Sequence, residues 1–314
     1  MLREVLDEPV HGGKRYAMSK PAVERIEDVE GLLAGRGYVA DREIATALFL
    51  AIRLYRPILV EGFAGVGKTE IAKTLAEALG TKLYRLQCYE GLDVSSALYE
   101  WNYAKQILHI RVDEHSGHST AETEATIFSE PYLLARPLLQ ALRHRDQSPV
   151  LLVDEIDRAD EEFEAFLLEM LSEYQVSIPE LGAIRAQHRP YVVLTSNRVR
   201  ELGDALKRRC LYLWIGYPSL DKEMQIIHNR VPGIEDALAK QICRFVEALR
   251  TMDLDKRPGV AETIDWGMAL MELHRDHLSR EVVDATVGCV LKSARDIERV
   301  GRALPQVLEQ ALAG

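Results

Sequence analysis

The stretch Ile58-Leu59-Val60-Glu61-Gly62-Phe63-Ala64-Gly65-Val66-Gly67-Lys68-Thr69-Glu70 decides the fold. Residues 62–69 satisfy G-x-x-x-x-G-K-[ST]; an apolar run precedes them, and a helical run from Glu70 to Leu79 follows. A buried strand feeding such a loop and a helix leaving it aim backbone N–H groups and the helix dipole at one anion, so the pattern predicts a nucleotide phosphate site. Gly62, Gly65 and Gly67 are expected to turn with positive φ and to approach phosphate oxygens closely. Lys68 is predicted to reach the β- and γ-phosphates and the Thr69 hydroxyl to ligate Mg²⁺. Phe63, Ala64, Val66 and Glu70 complete the predicted nucleotide-binding loop.

Outward from the loop, short apolar runs recur at Lys82–Gln87, Val150–Val153, Tyr191–Thr195 and Leu211–Ile215. With 58–60 they make five predicted strands interleaved with helical segments, which means a parallel α/β sheet. Residues 21–34 and 41–55 read as two amphipathic helices around Gly35-Arg36-Gly37. Between Glu173 and Tyr191, two short alternating runs around Pro179 to Gly182 read as an inserted hairpin. From Ser219 onward only helical periodicity remains, near 219–230, 234–252, 262–277, 280–292 and 295–312. The expected organisation is a flexible arm over 1–19, an α/β nucleotide-binding domain over 20–217 and a helical lid over 218–314.

Composition narrows the function. The 314 residues are 47% hydrophobic, and 49 acidic against 39 basic side chains leave a net charge of −10. That balance opposes general binding to a phosphate backbone and argues against nucleic acid as the partner. The four cysteines, at 88, 210, 243 and 289, form no CxxC pair, which suggests neither a disulfide framework nor a zinc knuckle and fits a reducing cytoplasm. No apolar run approaches the roughly 20 residues that span a bilayer, so no membrane span is expected.

Three further stations carry chemistry. Asp154 and Glu155 directly follow the strand 150–153, and in a parallel sheet that strand end opens onto the same crevice as the loop. Asp154 is predicted to hold Mg²⁺ through its water shell and Glu155 to activate the attacking water. Asp157 or Asp160 reads as the cap of the next helix. Asn197, just past strand 191–195, is predicted to orient the water or touch the γ-phosphate. Lys207-Arg208-Arg209 either complements a helix dipole or supplies an arginine finger to a neighbouring subunit's γ-phosphate.

In this order the phosphate loop, the Asp-Glu pair, the Asn after a strand, the basic finger and the C-terminal helices resemble an AAA+ ATPase. The hairpin before the Asn-bearing strand marks the clade that contains the MoxR family. Leu-Leu-Val-Asp-Glu-Ile-Asp-Arg-Ala-Asp, Leu-Thr-Ser-Asn-Arg-Val-Arg-Glu-Leu, Asp-Ala-Leu-Lys-Arg-Arg-Cys-Leu-Tyr and Pro-Gly-Val-Ala-Glu-Thr-Ile-Asp-Trp resemble its CoxD-like subgroup. The resemblance covers about residues 35 to 314. It implies an ATP-hydrolysing chaperone that forms a homo-oligomeric ring, taken as a hexamer, with a partner carrying a von Willebrand factor A (VWA) domain. The implied client is a metalloenzyme, a molybdenum hydroxylase of the CO dehydrogenase type.

Matched by position, Lys68 and Thr69 correspond to the phosphate-loop pair, Asp154 and Glu155 to the Walker B pair, and Asn197 to the first sensor. Gly37 to Val39, including Tyr38, match the stretch that packs on adenine. Arg209 best matches the finger, with Arg208 the adjacent alternative. Where the family commonly places a lid arginine, this chain has Val260-Ala261-Glu262-Thr263, with cations only at Lys256 and Arg257. By the same resemblance, residues 88–130 include the family's helix-2 insert. Its His109, His115 and His118 are spaced too loosely for a metal site, so a solvated polar loop is expected there and no metal beyond Mg²⁺. Two other functions compete: a nucleic-acid-acting, clamp-loader-like ATPase, suggested by Arg-Arg-Cys, and a regulatory nucleotide switch with little hydrolysis.

Overall fold

A computed structural model describes residues 23–113 and 120–313, so the expected arm over 1–19 lies outside the described residues. Helices α1 (Ile26–Ala34) and α2 (Arg42–Leu54) lead into β1 (Ile58–Gly62) and α3 (Lys68–Ala78). After β2 (Leu83–Gln87) the chain makes an excursion through α4 (Val94–Leu98), β3 (Tyr99–Trp101), α5 (Tyr103–Asp113), α6 (Thr120–Ile127) and β4 (Leu133–Ala135), where β3 and β4 pair antiparallel. Helix α7 (Pro137–Leu142) returns it to β5 (Val150–Asp154) and α8 (Glu161–Glu173). The hairpin β6 (Gln175–Ile178) and β7 (Gly182–Arg185) precedes β8 (Tyr191–Ser196), α9 (Asp204–Arg209) and β9 (Leu211–Ile215). The remainder is helical: α10 (Leu220–Arg230), α11 (Asp236–Thr251), α12 (Val260–Glu272), α13 (Arg280–Thr286) and α14 (Ala294–Leu312).

The five expected strands form one parallel sheet in the order β2-β5-β8-β1-β9. Strands β1, β5 and β8 are buried at every residue, because helices cover both faces. Alternation divides their side chains between two cores. Leu59, Leu151, Val153 and Leu194 pack on one side with α7 and α8, while Ile58, Val60, Val150, Leu152 and Val193 pack on the other with α1, α2 and α3. A third core, built around Trp266, Phe245 and Leu249, belongs to the C-terminal helices. The fold is the α/β P-loop architecture anticipated above, with a helical C-terminal part.

Several local expectations need correction. The helix expected over 262–277 stops at Glu272, where the chain reverses through a left-handed His274 (φ 52°). The helix expected over 280–292 ends at Thr286 and passes into a short 3₁₀ turn. Part of the insert expected to be a polar loop is the helix α5, which exposes Tyr103, Ile107 and Leu108. His109 on that helix packs edge-on against Tyr132 at 5.6 Å, while His115 and His118 lie outside the described residues. Among the described residues no helix is long and apolar enough to cross a membrane.

Candidate functional site

The carboxyl ends of β1, β5 and β8 meet at one rim of the sheet, bounding a cleft of about 570 Å³ that the C-terminal helices close from the other side. The loop at 62–69 lies along its floor. Gly65 and Gly67 adopt the expected positive φ, +72° and +92°. Gly62 does not: it is glycine because a Cβ there would sit 2.2 Å from the Ile215 carbonyl oxygen of β9. Ala64 to Glu70 line the cleft, whereas Phe63 turns its ring onto Tyr217, stacked at 4.5 Å, and edge-on against Trp214. Lys68 is buried, and its ammonium donates to the carbonyls of Gly62 (2.9 Å) and Phe63 (2.6 Å). Burial lowers its pKa, opposed by the carboxylates of Asp157, Asp154 and Glu155.

Asp154 ends β5 and is 2% exposed. The Thr69 hydroxyl donates to its Oδ1 at 3.0 Å, the Thr195 hydroxyl donates to the same oxygen, and Arg85 donates to Oδ2 through Nε (3.1 Å) and Nη2 (2.6 Å). Glu155 follows in a left-handed conformation, φ 54°, which lets the chain swing its carboxylate toward β8. A non-glycine residue there is strained, on the order of 1 kcal/mol, and the strain is held by two anchors. The Glu155 N–H donates to the Thr195 hydroxyl (2.9 Å), and the carboxylate accepts from Asn197 Nδ2 (3.3 Å) and forms an ion pair with Arg158 Nε (2.8 Å). Lys68, Thr69, Asp154, Glu155 and Asn197 are thus gathered at one place.

Asp157 and Asp160 separate in role. Asp160 caps α8 by accepting from Phe163 N (2.8 Å). Asp157, 2% exposed, instead accepts the backbone N–H groups of Asn197 (3.1 Å) and Val199 (2.8 Å) and so holds the loop that carries Asn197.

The helical part contributes the opposite wall. The start of α12 presses on the phosphate loop: Ala261 N–H donates to the Gly65 carbonyl (3.1 Å), and a Cβ on Gly259 would meet Ala64 O at 2.6 Å and Gly65 Cα at 2.8 Å. The segment 260–263, which carries no cation, therefore abuts the loop through backbone. Lys222 and Arg230 of α10 bring positive charge to the cleft, paired with Asp41 and Glu70 respectively. Tyr38 and Val39 line the cleft beside them. Arg208 and Arg209 are not among its lining residues. Arg209 donates to the Ser172 hydroxyl, and the Arg208 carbonyl accepts from Arg56 (3.0 Å).

Sequence reasoning missed Arg85, Thr195, Asp157, Lys222 and Arg230. Thr195 had a signal, since it directly precedes Ser196-Asn197 in a predicted strand beside the Asp-bearing one. Arg85 and Arg230 had none, because each finds its partner through folding, 69 and 160 residues away in the chain.

The oxygens offered by Thr69 and Asp154 are hard donors suited to Mg²⁺. Among the described residues no group of three or more His, Cys, Asp or Glu side chains could hold a metal by itself.

Residues 57–210 match the family model described as the AAA domain (dynein-related subfamily). An uncharacterised protein of Staphylococcus haemolyticus is 26% identical over 271 residues, 84% of this chain and 93% of that one. Another from Staphylococcus aureus is 28% identical over 235 residues, 73% of this chain and 80% of that one. Among solved structures, the RuvB Holliday junction branch migration motor of Thermotoga maritima is 16% identical, covering 88% of this chain and 78% of that one, with a TM-score of 0.48. A Cytophaga hutchinsonii protein described as a candidate ATPase is 17% identical, covering 92% of this chain and 94% of that one, with a TM-score of 0.47. Residues 57–210 are thus similar to an AAA domain, over a stretch that begins just before β1 and ends just before β9.

Proposed function

We propose that the cleft binds ATP with Mg²⁺ and hydrolyses it to ADP and phosphate. The observation that carries this reading is the convergence of Thr69, Asp154, Glu155 and Asn197 at strand ends beside the phosphate loop. Backbone N–H groups of the loop and Lys68 bind the phosphates, for which Lys68 exchanges its bonds to the Gly62 and Phe63 carbonyls. Thr69 and Asp154 hold Mg²⁺, which when bound neutralises phosphate charge and aligns the transferred group. Glu155 takes a proton from the attacking water, and Asn197 orients that water and the carboxylate. Residues 20–217 act as the nucleotide-binding unit and 218–314 as its lid.

In this reading the working form is a ring, and Arg209 reaches the γ-phosphate of the neighbouring subunit. What supports this is its exposed position at the end of α9, outside the cleft of its own chain. The segments resembling the CoxD-like MoxR subgroup extend the reading to a chaperone that matures a metalloenzyme, with a VWA-domain partner.

Replacing Glu155 with Gln should leave ATP binding intact and slow turnover by about 10²–10⁴-fold. Arg209→Ala should slow it by about 10³–10⁵-fold, again with binding retained. Full turnover by Glu155→Gln would sink the catalytic assignment. Full turnover by Arg209→Ala at assembling concentrations would sink the shared site.

A further inference from the structure

Arg85 holds Asp154 in a way the proposed chemistry does not use. It lies on β2 at the edge of the sheet, where Arg85 is opposite Leu152 and Gln87 opposite Asp154, so all four share the face covered by α3. Its guanidinium is fixed at two points: Nε and Nη2 bind Asp154 Oδ2, and Nη2 also donates to Gln87 Oε1 at 2.6 Å. The Asp154 carboxylate is almost wholly buried, whereas the Arg85 side chain is about half exposed and is not among the residues lining the cleft. Arg85 therefore approaches Asp154 from behind, away from where a phosphate would lie. It is positioned to act on a ligand only through Asp154.

The charges explain why such a residue is needed. Asp154, Glu155 and Glu70 line the cleft, while among the described residues Lys68 is its only cation from the sheet side. A polyphosphate arriving without a metal would feel the negative charge of Asp154, and in a poorly solvated site that repulsion is strong. A guanidinium bonded to Oδ2 cancels much of it while leaving Oδ1 to Thr69 and Thr195.

We propose that Arg85, anchored by Gln87, is the resident counter-ion of Asp154: it lets the cleft accept the polyphosphate of a nucleotide before a divalent cation is present, and thereby sets how strongly nucleotide binding depends on that cation. Arg85 is a positioning residue in this scheme. The inference rests on the reading of the cleft as a Mg-nucleotide site.

The test is an equilibrium titration of the full chain with a fluorescent ATP analogue, in Mg²⁺ and in EDTA, for Arg85→Met, Asp154→Asn and the double variant. Arg85→Met should weaken binding about tenfold in EDTA and less than about threefold in Mg²⁺. In the Asp154→Asn background the same change should have no effect under either condition, because no carboxylate charge is left to cancel. Equal losses with and without Mg²⁺ would overturn the inference, as would an undiminished loss in the Asp154→Asn background. Should Arg85→Met fail to fold, Arg85→Lys serves: it should keep most of the EDTA affinity, and a tenfold loss there would tell against a role based on charge. Failure of the unmodified chain to bind the analogue in either buffer would overturn the nucleotide reading beneath it.

Discussion

The two walls of the cleft are built by different physics. On the sheet side, a buried carboxylate, two hydroxyls, a guanidinium and backbone N–H groups hydrogen-bond to one another around Asp154, Glu155 and one oxygen of Asp157. On the helical side, the contact is backbone against backbone at Gly65, Gly259 and Ala261, flanked by half-exposed ion pairs. Buried polar networks are costly to break and hold one geometry, whereas shape contacts and exposed pairs cost less to remake. The difference teaches that the hydrogen-bonded carboxylates sit on the wall that resists rearrangement, while the other wall is easier to displace. The helical part is held together from within, by the Trp266 core and the buried Arg250–Glu223 pair, which Thr263 and the Pro258 carbonyl complete.

The comparison can be broken or sharpened by substitution. The largest effect is expected from Trp266→Ala. That ring is fully buried and donates to the Thr286 hydroxyl, so its loss should cost about 3–5 kcal/mol of unfolding free energy in a denaturant titration. A loss under about 1 kcal/mol would mean that the helical part has no tight core of its own. Thr195→Val comes next. It strips a hydroxyl from Asp154 and orphans the Glu155 N–H, so about 1–3 kcal/mol of stability should go. If it proves neutral, the sheet-side network is not the rigid element described.

Gly259→Ala tests the other wall. Its methyl group would collide with Ala64 and Gly65, so the start of α12 must shift, and affinity for a fluorescent nucleotide should fall about tenfold. Unchanged affinity would show that α12 does not need to approach the loop so closely. The smallest effect is expected from Arg230→Ala. The pair with Glu70 is partly exposed on both sides, so unfolding should change by at most about 1 kcal/mol. A loss of several kcal/mol would erase the contrast between the two walls.

The fold was largely legible because hydrophobic runs and helical periods are local. Val150–Val153 announces a buried strand from four consecutive residues and Tyr191–Thr195 from five, and the structure extends each by one residue. Helix ends were less legible: nothing nearby marks Glu272 as a terminus, and a left-handed histidine is a poor stop signal. Within the site, the residues brought together at Lys68, Thr69, Asp154, Glu155 and Asn197 follow from motifs tied to strand ends. Gly62 was legible as glycine but for the wrong reason, because the Ile215 carbonyl that excludes a side chain is contributed by a strand 153 positions later.

The sequence by itself determined the element types, the parallel sheet and the placement of a phosphate loop beside an acidic strand end, since each depends on neighbours within a few residues. Only the tertiary structure decided that Arg85 neutralises Asp154 from behind, that Thr195 links Asp154 to Glu155, that Asp157 holds the Asn197 loop, and that α10 rather than α12 brings cations to the cleft. The physical reason is range. A hydrogen bond acts over about 3 Å in space whatever the separation along the chain, and only the packed sheet and helices bring such partners within reach.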